Sequence, residues 1–144
     1  MQGIDENADA ETIARAWLAE MEACVRAVDY ARCRAIFTAD VVGFGTRTAA
    51  AIGLDALERD QWRHVWGRIR SFTFVTDELY CARSSDALWL ACPWTSEGRD
   101  LDGGWTHRPG RITAVLERRA GRWLAVHTHH SLVPEQASLL AQRG

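Results

Sequence analysis

Residues 110–134 read GRITAVLERRAGRWLAVHTHHSLVP. These are two runs of alternating apolar and polar residues joined at Ala120-Gly121, the pattern of an antiparallel hairpin. The second run carries three of the chain's five histidines, His127, His129 and His130. Successive strand side chains point to opposite faces. Strict alternation therefore puts Leu124, Val126, Thr128 and His130 on one face and Ala125, His127, His129 and Ser131 on the other. The first set is the more apolar and reads as a pocket lining, with Ile112, Ala114 and Leu116 aligned beside it on the preceding strand.

Upstream, the β pattern continues in RSFTFVTDELYCA and ALWLACPWTSEG, punctuated by SSD and by the Gly/Asp-rich RDLDGG, and the hairpin's first run reads as one segment with the residues before it, WTHRPGRITAVLERR,. Before Gly67 the period changes to helical. From the N-cap candidate Asp9, Ile13, Trp17, Met21, Cys24 and Val28 mark one helix face, with Glu11/Arg15 and Glu22/Arg26 as solvent-facing i,i+4 pairs,. Asp29 caps a short helix, DYARCRAIF, and a brief strand, VVGFG, follows. Gly53 and Asp55 open a third helix with Leu54, Leu57, Trp62, Val65 and Trp66 on its apolar side,. Helices first and meandering strands afterwards specify an α+β domain, its helices on one face of an antiparallel sheet.

At 144 residues the chain is one domain, 1–144, with a core from about 9 to 134 and a tail at 135–144,. A net charge of −2 offers no basic field for nucleic acid,. No apolar run reaches membrane-span length, and MQGIDENADAE is not a secretory leader pattern, so the expected location is cytoplasmic,. Four cysteines without a C-x-x-C pair read as reduced packing residues,. Seven tryptophans are many for this length, and large aromatics go to cores, pockets and interfaces,.

The order of elements, together with AIFTADVVGFGT, the Gly53 helix start and the hairpin string above, resembles the SnoaL-like family of the nuclear transport factor 2-like superfamily. Ketosteroid isomerase and the association domain of calcium/calmodulin-dependent kinase share that superfamily. The likeness spans about Ala14 to Pro134. It implies a cone-shaped fold, N-terminal helices packed on a curved antiparallel sheet that encloses a pocket, with the outer sheet face used for dimerisation. It also implies a basic residue directed into the pocket at His130. The superfamily hosts isomerases, cyclases, dehydratases and non-catalytic assembly domains, so the fold does not dictate an activity.

Three readings compete for the histidines. His127 and His129 lie about 7 Å apart on one strand face, a spacing that can chelate a metal if a third ligand such as His107 joins them; a zinc-dependent hydrolase or lyase would follow. They could instead serve a homodimer interface through the outer sheet face. His130 could transfer protons, bind an anion or simply pack. The expected pocket lining is Trp17, Tyr30, Trp62, Trp66, Trp94, Trp105, Leu116, Val126 and Thr128, suited to a small hydrophobic or carboxylate-bearing molecule and needing no cofactor or metal. For chemistry next to a carbonyl, His130 is the first candidate, with His107 and Arg111 beside it in a polar cluster that also contains Arg108. Pro109-Gly110 breaks the alternation there, leaving the faces of His107 and Arg111 open. Alignment with the isomerase puts Gly45 where its carboxylate base stands, so that mechanism is not expected. The alternative is a non-catalytic ligand-binding or assembly module.

Overall fold

A computed structural model describes residues 5–134, so the tail expected at 135–144 lies outside the described residues. Asp9 starts α1 (Ala10–Ala27), its carboxylate accepting from the Thr12 amide at 2.8 Å,. The helix buries Ile13, Trp17, Met21, Cys24 and Val25. Val28 departs from the expected face: it ends the helix in the left-handed region, φ 52°, and is exposed. Both expected pairs form, Glu11/Arg15 at 2.9 Å and Glu22/Arg26 at 3.9 Å. Glu22 also accepts the Phe74 amide at 2.8 Å and Arg26 donates to the Phe72 carbonyl at 2.7 Å, latching α1 to the strand beneath it.

After α2 (Tyr30–Arg34) come β1 (Phe37–Phe44), β2 (Ala51–Ile52) and α3 (Leu54–Leu57). A π-helical turn (Glu58–Trp62) follows, then α4 (Arg63–Val65) and a 3-10 turn (Trp66–Arg68). The π turn accounts for the apolar spacing: Leu57 and Trp62 are five apart, and the extra residue keeps both on the buried side,. It also turns the polar Gln61 inward, 7% exposed.

Six strands complete the chain: β3 (Ile69–Phe74), β4 (Tyr80–Ser84), β5 (Ala87–Arg99), β6 (Trp105–His107), β7 (Gly110–Arg119) and β8 (Arg122–Leu132). The run expected as one strand from Arg70 to Ala82 is two, parted by a 3-10 turn at Thr76–Glu78, and both pair with β5. WTHRPGRITAVLERR is likewise cut into β6 and β7, because Pro109 has no amide to give a ladder,. The sheet runs β2-β1-β8-β7-β5-β3, with β4 and β6 also on β5; β1 and β8 are parallel and the other neighbours antiparallel. The curved sheet and the helices enclose one apolar core containing Trp17, Trp94, Leu88, Leu90, Ile112 and Leu116.

The hairpin forms as read, with one correction. Val115 pairs with His127 and Leu116 with Ala125, so a bulge at Val126 adds one residue to β8,. Strict alternation fails there: Trp123 and Ala125 turn inward before the bulge, Thr128 and His130 after it, and Leu124 and Val126 are only half-buried. Val126 is therefore not among the residues lining the space between helices and sheet. Beyond the bulge the expected assignment holds, and His127 and His129 stand on the face opposite His130.

Candidate functional site

Between the helices and the concave sheet lies a narrow cavity lined by aromatic rings. Trp62 and Trp66 stack at 4.8 Å from consecutive helical turns, and Phe72 and Trp94 meet at 5.2 Å from the sheet. Its volume is about 30 Å³, room for one or two water molecules,. A ligand of ten or more heavy atoms exceeds this volume and enters only when rings such as the Trp62–Trp66 pair turn aside.

Four polar side chains face this space: Thr46, Gln61, Arg108 and His130, with Thr128 beside them. Gln61 holds the loop after β1. Its Oε1 accepts the Arg47 amide at 2.7 Å and the Thr48 amide at 3.2 Å, which leaves Nε2 to donate to Thr46 Oγ1 at 2.9 Å,. The Gln61 carboxamide lies where a side chain at Gly45 would start. Among the described residues, no aspartate or glutamate lines the cavity.

Arg108 enters because Ser96 fixes its backbone from both sides: the Arg108 amide donates to the Ser96 carbonyl and Ser96 Oγ donates to the Arg108 carbonyl, each at 2.7 Å. Its side chain passes over Gly98, where a Cβ would come within 3.1 Å of Arg108 Cδ, crosses the Trp94 ring at 5.4 Å and donates from Nη2 to Thr46 Oγ1 at 3.1 Å. Burial lowers its affinity for the proton,, and it has no carboxylate partner among the described residues. Gly110 is required beside it, since a Cβ there would overlap the Trp94 ring and approach Ser131 O to 2.6 Å.

His130 presents a buried Nε2 with no hydrogen-bond partner among the described residues, although part of the residue stays exposed. Burial first, then the Arg108 cation and His129, push its pKa from 6.5 down to about 3, so the imidazole is neutral at pH 7,. Trp94 Nε1 is likewise buried and unpaired.

Of the residues expected here, Trp62, Trp66, Trp94, Thr128 and His130 meet around the cavity. The others do not. Trp17 is core, donating to the Ile36 carbonyl at 3.0 Å, and Leu116 is core on β7. Tyr30 lies behind Trp66, stacked at 5.2 Å under Arg63. Trp105 is held outside between Arg70 and Arg99. Arg111 points outward, donating to Ser131 Oγ at 2.7 Å, and His107 is exposed opposite Glu97. His107 and His130 therefore do not converge in the cavity, because ladder alternation at Ser96 and Glu97 sends Arg108 inward and His107 outward. Thr46 and Gln61, which alternation and helical period could not place, complete the site. The Pro109 that follows Arg108 was the available signal for the break in pattern.

On the outer face, His127 Nδ1 donates to the Val42 carbonyl at 2.7 Å, and Phe44 packs edge-on against both His127 and His129. No group of three potential metal ligands is assembled among the described residues. No described helix is long and apolar enough to cross a membrane.

The model of the SnoaL-like domain matches residues 14–135. Solved structures similar to this chain include a nuclear transport factor 2-like superfamily protein from Salmonella enterica (14% identity, 89% of this chain and 94% of that one, TM-score 0.75). A ketosteroid isomerase-like protein from Erwinia carotovora atroseptica (18%, 85% and 95%, TM-score 0.71) and a nuclear transport factor 2-like protein from Pseudomonas putida KT2440 (20%, 90% and 90%, TM-score 0.72) share the fold as well. No curated protein matches the sequence. With the α+β architecture and this match over most of its length, the chain belongs to the SnoaL-like domain family.

Proposed function

We propose that this chain is a cofactor-independent small-molecule-binding protein whose cavity receives the apolar body of a ligand and whose Arg108 receives a carboxylate on it. The observation that carries this reading is a part-buried guanidinium with no carboxylate partner among the described residues, next to a neutral imidazole whose Nε2 is sealed and unpaired. Buried polar groups are ordinarily satisfied, so such a pair amid aromatic rings is suited to an absent anionic partner. A charge-assisted hydrogen bond in that setting contributes about 1.5–3 kcal/mol.

Should turnover occur, the same groups fit proton abstraction next to a carbonyl, as in an isomerase, cyclase or dehydratase. Neutral His130 would accept the proton, and Arg108 with the Thr46 hydroxyl would stabilise the enolate. His107 and Arg111 have no part in this scheme, since neither faces the cavity.

Calorimetric titration with 2-naphthoate and 2-naphthol tests the reading. The parent should bind the acid at least tenfold more tightly, and Arg108→Met should remove that preference while keeping the naphthol affinity. Equal affinities in the parent, or a preference that survives the substitution, would refute it.

A second reading has its own support. Trp89, 47% exposed, Val115 and His127 form one cross-strand row on the outer face, an aromatic and apolar surface that suits a homodimer including His127 and His129. Light scattering at micromolar concentration decides it: a monomer there, or a dimer unaffected by Trp89→Glu, rejects this interface.

A further inference from the structure

The cavity adjoins an outer groove of about 520 Å³, the two sharing Thr46, Val65, Ile69 and Arg108 as walls. The groove gathers cations from four separated parts of the chain. Arg47 comes from the loop after β1, Arg68 from the turn before β3, Arg99 from the end of β5 and Arg108 from the β6–β7 break, with His64 and His107 beside them. Among the described residues one carboxylate, Asp100, is on its wall, and the Thr106 hydroxyl donates to it. These four arginines differ from most others. Nine arginines elsewhere are ion-paired, whereas none of the four makes an ion pair among the described residues. Seven described arginines make no ion pair, Arg47, Arg68, Arg83, Arg99, Arg108, Arg111 and Arg122, and in a chain of net charge −2 four of them meet at the mouth of the aromatic cavity.

Like charges held together cost free energy in the empty protein, and an anion removes that cost. The number of donors argues for more than a carboxylate. One carboxylate is satisfied by a single bidentate guanidinium, whereas phosphate oxygens, with about two charges at neutral pH, take several. Arg108 is in position to serve both compartments. We infer that the groove is the phosphate-binding half of a two-part site, so that a ligand with its apolar body in the cavity carries a phosphate or diphosphate group held by Arg47, Arg68, Arg99 and Arg108. This rests on the small-molecule reading of the cavity and adds the chemical class of the ligand's polar end.

The test uses 2-naphthol, 2-naphthoate, 2-naphthyl phosphate and inorganic diphosphate in calorimetric titrations at low salt. The phosphate ester should bind at least tenfold more tightly than the carboxylate and weaken as salt is added. The double variant Arg68→Gln/Arg99→Gln, both exposed residues, should lose that advantage while 2-naphthoate affinity stays within twofold. Diphosphate should displace the phosphate ester and leave 2-naphthol in place. Naphthoate binding with no further gain from the phosphate, or a double variant that keeps the gain, overturns this inference alone. Failure of all three naphthalene compounds to bind overturns the cavity reading with it.

Discussion

His130 makes the stability of this protein depend on pH in a calculable way. Its folded pKa, about 3, lies below the ordinary 6.5 that it regains on unfolding. Between these values the unfolded state binds the extra proton, so the contribution is fully present above about pH 6.5 and is lost as pH falls toward 3. From pH 8 to pH 5 the unfolded histidine becomes almost fully protonated and the folded one does not, which withdraws ~2 kcal/mol, about a thirtyfold change in the folding constant. That figure barely depends on the folded value so long as it stays below about 4, so partial exposure of the ring reduces it little. The perturbation is His130→Leu. Urea unfolding of parent and variant, followed by tryptophan fluorescence at pH 8 and pH 5, yields two stability losses whose difference cancels every other titrating group. The parent should lose about 2 kcal/mol more than the variant. Equal losses would mean that the imidazole is hydrated and protonates in the folded state, and the reasoning from burial would be refuted.

Gly110→Ala places a methyl group inside the Trp94 ring and 2.6 Å from the Ser131 oxygen; a loss of about 2–3 kcal/mol is expected, and a melting temperature equal to the parent's would contradict it. Gln61→Ala removes the acceptor of two loop amides and the donor to Thr46, so hydrogen exchange at Arg47 and Thr48 should quicken by at least tenfold with slower exchange retained in β7; unchanged protection would deny the clamp. Asp9→Ala deletes the α1 cap and should cost about 1 kcal/mol in urea unfolding, with Asp9→Ser recovering most of it.

The sequence by itself determined the parts governed by local periodicity. The order of helices and strands, the hairpin at 110–134 and the separation of His130 from His127 and His129 follow from a period of two or 3.6 residues and from punctuation by glycine, proline and aspartate. Tertiary structure decided whatever depends on agreement between neighbouring strands. The bulge at Val126, which removes that residue from the lining, arises because β8 must pair with β7 and with the parallel β1 at once. Arg108, named only as one member of a polar cluster, becomes the cavity cation because Ser96 on another strand fixes its backbone and Gly98 leaves room for its stem. Trp105 and Tyr30 fail as lining for the same reason: an aromatic residue announces a partner, and only the curvature of the sheet says on which side that partner lies. The grouping of Arg47, Arg68, Arg99 and Arg108 is invisible in the chain, where they are up to 61 positions apart. It exists because a curved sheet and the helical segment across its mouth bring distant loops to one rim, and charge at that rim is a property of the surface rather than of any segment.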